Sequence, residues 1–278
     1  MRIPDAKMLE AVTEIAKEAG EAITTIYRTG FTVTHKPDNS PVTNADMASH
    51  HIIRRRLQDL TPEWPVLSEE DPSSDFAQRS QWPIYWLVDP LDGTREFIHY
   101  RDTFCVNIGL VSGSAVILGV IHGPILGLTY SALKGYGAFK QEGQQATHAI
   151  EVSCWQQSLP LKVAVSRSHS SPLLKQFLEQ IGPHELVSMG SALKIGLVAE
   201  GKVDLYPRFG PTWEWDTAAG QCVVEQAGGA LTDANLMPLQ YNTKESLINP
   251  SFLVAGKIPE PTLQNIRLAA QQMTYRKC

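Results

Sequence analysis

The sequence predicts an α/β protein built from an α+β N-terminal part and an α/β C-terminal part, and three observations carry that prediction. Met8, Val12, Ile15, Ala19, Ile23 and Ile26 recur at steps of three or four, the helical period. Thr103 to Leu133 contains no Asp, Glu, Lys or Arg and is cut by Gly109, Gly113 and Pro124 into short apolar runs. Beyond about residue 160, short apolar runs alternate with helical patterns, the texture of a layered α/β unit.

In the first helix, Lys7, Glu14, Lys17 and Glu21 fall mostly opposite the apolar stripe. A polar loop, Lys36-Pro37-Asp38-Asn39-Ser40-Pro41, leads to a second helix from about Asn44 to Leu60. Thr61-Pro62 and Trp64-Pro65 stop it, because a proline disfavours helical conformation in the residue before it. Ile84–Val88 is an apolar run expected to be a strand buried on both faces, ending at Asp89-Pro90. Phe104–Val111, Ala115–Ile121 and Ile125–Ser131 read as an antiparallel meander joined by Ser112-Gly113-Ser114 and His122-Gly123-Pro124. Breaks of that density exclude a membrane-spanning helix, which needs ~20 apolar residues. The polar stretch Gln141–Ala149 precedes the change of texture, so the domains are expected at 1–152 and 153–278. In the second, Leu161–Ser166, Val203–Tyr206 and Phe252–Ala255 are strands. Leu173–Ile181, Ser191–Glu200 and Asp216–Ala227 are helices, the last closed by Gly228-Gly229.

The 278 residues hold 24 Lys+Arg against 29 Asp+Glu, a formal net charge of −5, with 43% apolar and 19% charged residues. That composition describes a soluble globular chain with a sizeable core and excludes a disordered chain or a coiled coil. A net acidic chain is not a non-specific nucleic-acid binder, since that affinity comes from many Lys/Arg–phosphate contacts. Any anionic substrate must then be attracted by a few placed cations or a bound metal. Cys105, Cys154, Cys222 and Cys278 form no CxxC pair, so reduced thiols and a cytoplasmic location are expected. The N-terminal residues, acidic and without a long apolar run, are not expected to be a secretory signal.

Three segments gather acids where a chain changes direction: Leu67-Ser68-Glu69-Glu70-Asp71, Val88-Asp89-Pro90-Leu91-Asp92-Gly93-Thr94, and Trp213-Glu214-Trp215-Asp216-Thr217. Asp89 stands at the C-terminal end of a buried strand, where α/β folds place their sites. Each segment alone has an ordinary explanation: Asp216 as a helix N-cap, Asp89 to Gly93 as a turn, Glu69-Glu70-Asp71 as a solvated charge run. Thr43-Asn44-Ala45-Asp46 likewise reads as a capping box with Asp in place of Glu. Their co-occurrence points elsewhere. Carboxylates ~4 Å apart repel by ~4 kcal/mol at an effective dielectric near 20, so a site that gathers several needs cations. All-oxygen ligation selects Mg²⁺ or a similar hard ion, and two such ions suit phosphoryl transfer to water.

Glu69-Glu70, Asp89-Pro90-Leu91-Asp92-Gly93-Thr94 and Trp215-Asp216, with the earlier Asp46, resemble the signature of the lithium-sensitive, Mg²⁺-dependent inositol monophosphatase superfamily. The chain is closer still to its CysQ-type 3′(2′),5′-bisphosphate nucleotidases, through Asp38–Thr43, Pro65–Pro72 and Tyr206–Thr212. The resemblance runs from about residue 8 to residue 255. It implies a layered αβαβα fold with the site between the two parts, and two or more Mg²⁺ ions per site. It implies hydrolysis of 3′-phosphoadenosine 5′-phosphate to AMP and phosphate, with 3′-phosphoadenylyl sulfate as a second substrate and a link to sulfate assimilation. By position, Glu69, Asp89, the Leu91 carbonyl, Asp92 and Asp216 would hold the metals. Asp46 and Thr94 would orient and deprotonate the attacking water, with Glu70 assisting through water held at the metal. The substrate phosphate would meet Glu69, Leu91, Asp92, Gly93, Thr94 and Asp216. Some relatives lie at the inner face of the bacterial membrane, so peripheral association stays open, as does oligomeric state.

Substrate choice is expected from the second half of the chain. Ser166-Arg167-Ser168-His169 follows a strand and can reach the site; in the family this histidine contacts the nucleotide. Ser191 and Lys194, three apart, can face one ligand across a helical turn. Lys194 and Arg208 would hold the phosphate that is not cleaved; the ordinary alternative for Lys194 is a solvated helix lysine. Trp213 and Trp215 read as packing residues before a base-stacking platform. The chain departs from the family pattern in Arg95, where a lysine is usual, and over Ile98 to Cys105, which puts rate and substrate range in doubt. The alternatives are an inositol or sugar monophosphatase, which has no second phosphate to clamp, and a catalytically silent nucleotide-binding protein, which has no need of gathered carboxylates.

Overall fold

A computed structural model describes residues 3–36, 39–71, 75–166 and 171–274. The first helix, α1 (Ala6–Thr29), buries Met8, Val12, Ile15, Ala19 and Ile23 as its spacing requires, and Asp5 caps it by accepting the Met8 N–H at 2.9 Å. The expected polar loop is partly a hairpin: β1 (Val33–His35) pairs antiparallel with β2 (Pro41–Thr43). The second helix, α2 (Asn44–Leu60), has the expected bounds and begins with the Thr43/Asp46 capping box.

After β3 (Val66–Ser68) and a one-turn helix α3 (Phe76–Arg79), the long strand β4 (Ile84–Asp92) is buried along nearly its whole length. It runs past Asp89-Pro90, where the sequence placed its end. Pro90, which has no N–H to donate, sits in a bulge that lets the strand continue. Following α4 (Thr94–Ile98), the charge-free segment forms the meander β5 (Cys105–Ser112), β6 (Ala115–Gly123) and β7 (Leu128–Leu133). Two further strands, β8 (Gly137–Glu142) and β9 (His148–Ala149), overlap the two ends of the stretch read as polar. The seven strands from β3 to β9 form one sheet in sequence order, antiparallel except for β3–β4.

The second half alternates as expected: β10 (Leu161–Val165), α5 (Pro172–Leu178), β11 (His184–Ser188), α6 (Leu193–Ala199), β12 (Leu205–Arg208) and α7 (Glu214–Gln226). β13 (Ala230–Asp233), β14 (Phe252–Ala255) and a C-terminal helix α8 (Glu260–Thr274) complete it. The second sheet has the order β11-β10-β12-β14-β13, parallel around β10 and antiparallel around β14.

Five layers result, α-β-α-β-α. The apolar stripes of α1 and α2 meet one face of the seven-stranded sheet through Val88, Ile108, Val120 and Leu110. α6 and α7 lie between the sheets, and Phe177, Ile266 and Met273 of α5 and α8 cover the far side of the second sheet. The α/β layering read from the sequence is therefore the one observed. α7 can approach β6 closely because residue 119 is glycine: a Cβ there would stand 2.2 Å from the Ala219 carbonyl oxygen. Among the described residues, no helix is long and apolar enough to cross a membrane.

Candidate active site

The site begins with the bulge in β4. Asp89 faces Asn107 and Asp92 faces Cys105 across the β4–β5 ladder, so three steps along β4 match two along β5. Residues three apart on a regular strand point to opposite faces, and the one extra residue brings them to the same side. Asp216 comes from the first turn of α7 between the sheets. Carboxylate oxygens of Asp89, Asp92 and Asp216 all lie within 4.8 Å of one another. Asp216 is not the N-cap that its sequence context indicated. The helix starts earlier, and the Asp216 carboxylate reaches back from the third position to accept the Trp213 N–H at 2.8 Å.

Burial and mutual repulsion raise all three carboxyls above their ordinary range. Asp89 is 2% exposed and raised well above it, by burial first and then by Glu69, Asp92 and Asp216. Asp216 is raised well above it by burial and by Asp92. Asp92 is also raised, mainly by burial, although the Lys194 charge and the Ala192 N–H (2.6 Å) favour its anion. Three carboxylates held this way, with oxygen donors only, are a fit for a hard divalent cation, which would replace the protons they otherwise retain.

Asp46 closes the capping box and also reaches Thr94. Oδ2 accepts the Thr43 N–H (2.8 Å) and hydroxyl (2.6 Å), closing the capping box, while Oδ1 accepts the Thr94 hydroxyl at 3.2 Å. Thr94 Oγ1 also lies 3.3 Å from the Leu91 carbonyl oxygen, which therefore turns toward the site. Gly93, with φ +94°, makes the left-handed step from β4 into α4 that places Thr94 there. Burial raises the Asp46 carboxyl, opposed by the Thr43 hydrogen bonds.

Glu69 continues the β3–β4 pairing by donating its N–H to the Val88 carbonyl at 3.0 Å. Its carboxylate and that of Glu70 converge on Lys36, whose Nζ is 2.9 Å from Glu69 Oε1 and 2.8 Å from Glu70 Oε1. Burial pushes Glu70 up to about 7 against the opposing pull of Lys36.

The cationic side lies across a cleft of about 260 Å³ lined by Glu69, Asp92, Thr94, Ser191, Lys194, Arg208 and Asp216. Lys194 is 4% exposed, which excludes a solvated helix lysine. Its Nζ donates to the Ser191 carbonyl at 2.6 Å and stands 5.1 Å from the centre of the Tyr206 ring. Ser191 does not share a helical turn with it: its φ is +50° and α6 begins at Leu193, so the backbone carbonyl of Ser191, not its hydroxyl, meets Lys194. The Ser191 hydroxyl instead stands 3.2 Å from the Cys105 thiol, which donates to it. Arg208 donates from Nη2 to the Pro211 carbonyl at 3.2 Å and leaves its buried Nε without a partner. Trp213 and Trp215 stack on each other at 5.2 Å and 9°. Arg167, Ser168 and His169 lie outside the described residues, as do Asp38, Pro72 and Cys278.

Residues 5–271 match the model of the inositol monophosphatase family. The chain belongs to that family. The family is metal-dependent, and an acidic triad, Asp89, Asp92 and Asp216, is present here. The chain is 47% identical over 250 residues to the 3′(2′),5′-bisphosphate nucleotidase CysQ of Escherichia coli (strain K12), covering 89% of this chain and 99% of that protein. It is 40% identical over 259 residues to the protein of the same description from Aggregatibacter actinomycetemcomitans, covering 91% and 94%. Among solved structures it resembles CysQ of Bacteroides thetaiotaomicron, described as a bacterial member of the inositol monophosphatase family. The TM-score is 0.80 at 38% identity, over 91% of this chain and 98% of that one.

Within this inositol monophosphatase frame, sequence reasoning missed four groups at the site. Lys36 carries no local signal, since it joins Glu69 and Glu70 from a hairpin remote in sequence. Asn107 donates to Asp92 at 3.4 Å, and Cys105 lies 3.8 Å from the same oxygen, both set opposite the bulge by strand register. Tyr206 is expected as strand and as the head of the Tyr206–Thr212 stretch, with no role of its own, yet its ring lies under the Lys194 ammonium. Of the two stretches expected to depart from the family pattern, Arg95 is exposed at the cleft rim, whereas residues 98–105 help to support α4: Tyr27 donates to Asp102 at 3.0 Å, and Phe97 packs between Tyr27, Phe31 and Phe104.

Proposed function

We propose that this chain is a Mg²⁺-dependent phosphatase that removes the 3′-phosphate of 3′-phosphoadenosine 5′-phosphate, giving AMP and phosphate. It also acts on 3′-phosphoadenylyl sulfate, serves sulfate assimilation and works in the cytoplasm. The observation that carries this reading is Lys194: a nearly buried ammonium, with Arg208, faces the carboxylate triad across one cleft. A monophosphate would bring no second phosphate to those cations, which would then face only the neighbouring carboxylates of Asp92 and Asp216. The naming of the CysQ relatives supports the same substrate class.

Asp89, Asp92, Asp216, Glu69 and the Leu91 carbonyl would hold the Mg²⁺ ions. When bound, Mg²⁺ supplies Lewis acidity, drawing charge from the phosphoryl oxygens and making water a better nucleophile. The chain's own residues do the rest. The Thr94 hydroxyl, with its hydrogen directed to Asp46, offers its lone pair to a water proton and so aims the water's oxygen at phosphorus. Asp46 takes the proton; its raised pKa makes it a stronger base than an ordinary carboxylate, and Thr43 keeps its other oxygen fixed. The start of α7 faces the cleft through Asp216 and Thr217, so its N-terminal dipole favours the charge that develops there. Lys194 and Arg208 bind the 5′-phosphate and thereby register the 3′-phosphate over the triad.

Burial lowers the Lys194 ammonium to about 8. It therefore discharges as the pH rises through that value, and the Michaelis constant for the bisphosphate is expected to climb above pH ~8 while that for a simple 3′-monophosphate stays level. Lys194→Ala is expected to raise the bisphosphate constant ~10–100-fold, the worth of one charge-assisted hydrogen bond, with little change for the monophosphate. Steady-state phosphate release across pH checks both. The reading as a whole is tested by comparing turnover of 3′-phosphoadenosine 5′-phosphate with that of inositol 1-phosphate. The bisphosphate is expected to be favoured, and faster release from the inositol ester would make the chain an inositol phosphatase.

A further inference from the structure

We propose that His50, acting with Ser68 and Asp71, is a positioning residue that fastens the Glu69-Glu70 turn to the helix carrying Asp46 and so sets the affinity of the site for its divalent cation. The inference rests on the reading of the site given above. Asp46, His50 and Arg54 recur every four positions on α2 and so share one helix face. Asp46 reaches Thr94, while His50 and Arg54, one and two turns further along, reach the turn that follows β3.

The contacts at that turn form a closed set. His50 Nδ1 lies 2.9 Å from Ser68 Oγ, and Nε2 lies 3.9 Å from Asp71 Oδ1. Arg54 Nη1 donates to the same Asp71 oxygen. Asp71 Oδ2 accepts the Ser68 N–H at 3.0 Å, and the Asp71 N–H donates to the Ser68 carbonyl at 3.1 Å. The Glu70 N–H reaches Ser68 Oγ at 3.4 Å. Both ends of the turn are thus tied to α2, and Glu69 and Glu70 lie between the ties.

His50 is only 6% exposed, so water does not compete well for these bonds. Burial also holds its imidazole below the usual value, leaving it neutral near pH 7. A neutral ring can accept the Ser68 hydroxyl at Nδ1, while Nε2, 3.9 Å from Asp71, only lies beside the carboxylate that Arg54 holds. The need for such a tie follows from charge. Glu69 and Glu70 repel each other, and Lys36 restrains only their carboxylate ends. The Glu69 N–H holds the start of the turn to β4. With the ties to α2 gone, the rest of the turn can still shift and re-aim the Glu69 carboxylate, and partners of this outer kind are typically worth ~10–100-fold in metal affinity.

Two variants test the tie without emptying the site. His50→Phe keeps a planar aromatic ring, somewhat larger than imidazole, and removes both nitrogens, whereas His50→Asn keeps an acceptor where Nδ1 stands. Mn²⁺ binding to the chelator-stripped proteins, followed by electron paramagnetic resonance without substrate, reads metal affinity directly. His50→Phe is expected to weaken Mn²⁺ ~10–100-fold, and His50→Asn to restore most of that loss. At saturating metal, the Michaelis constant for the bisphosphate should stay near that of the parent protein in both. Should His50→Phe not fold, Ser68→Ala removes only the hydroxyl and is expected to weaken Mn²⁺ in the same direction. Folded variants that bind Mn²⁺ as the parent does, with the parent still hydrolysing the bisphosphate, overturn the inference and leave the functional reading standing. A parent that binds Mn²⁺ more tightly than the variants but releases no phosphate supports the tie and overturns that reading.

Discussion

Asp92→Asn is expected to lower turnover of the bisphosphate by ~10²–10³-fold, of the order lost when one electrostatic anchor of a charged transition state is removed. The fold should survive. The Ala192 N–H now donates to Asp92 Oδ2 at 2.6 Å, and an asparagine oxygen can accept the same bond. What the substitution removes is charge, from a cluster whose members lie within 4.8 Å of one another. Full ionisation at that spacing costs about 3 kcal/mol per pair at an effective dielectric near 20, which the metal-free protein relieves in part by retaining protons. In the absence of metal, Asp92→Asn should therefore melt no lower than the parent protein, and the gain in melting temperature that Mg²⁺ gives the parent should be largely absent. Phosphate release and thermal unfolding, each with and without Mg²⁺, check both halves. Turnover close to that of the parent would remove Asp92 from the metal site.

Asp46→Asn is expected to reduce turnover ~10²–10⁴-fold, the usual worth of a positioned base, with the Michaelis constant almost unchanged. The asparagine oxygen can still accept the Thr43 N–H and hydroxyl, so α2 keeps its cap. Toward Thr94 the variant presents an amide N–H₂ instead of a carboxylate, and the threonine hydroxyl loses the acceptor that takes its proton. Asp46→Ala would remove cap and base together, at a further ~1 kcal/mol of stability. The pair of variants separates the two duties: equal activity in both assigns the loss to chemistry, and a lower melting temperature in the alanine variant alone assigns the cap.

Much of the frame was legible because its signals are local. Prolines fixed the end of α2, glycine turns divided the meander, and the spacing of Met8 to Ile26 marked α1. Strand β8 was hidden because Lys140 breaks its alternation, and that lysine can be buried because Glu142 and Glu200, the residue that ends α6, both pair with it. Strand β11 is an edge strand with an exposed face, so His184 to Ser188 show no apolar alternation. The stripe Leu263, Ile266, Ala269, Ala270 and Met273 of α8 was readable and went unread. At the site, the acids were visible through their grouping, but the reason they meet was not. The bulge that turns Asp89 and Asp92 to one side depends on β5, and Lys36 on a hairpin that forms only against the rest of the fold. Ser191 misled for a related reason: its left-handed backbone cannot be read from a serine.

The proposed reaction depends on buried acids that act only with a divalent cation. The most direct measurement is phosphate release from 3′-phosphoadenosine 5′-phosphate by the chelator-stripped protein, before and after Mg²⁺ is restored. The expected result is no release above background without the ion and full, saturable turnover once it is added. Undiminished release from protein shown to be free of divalent cations would contradict it.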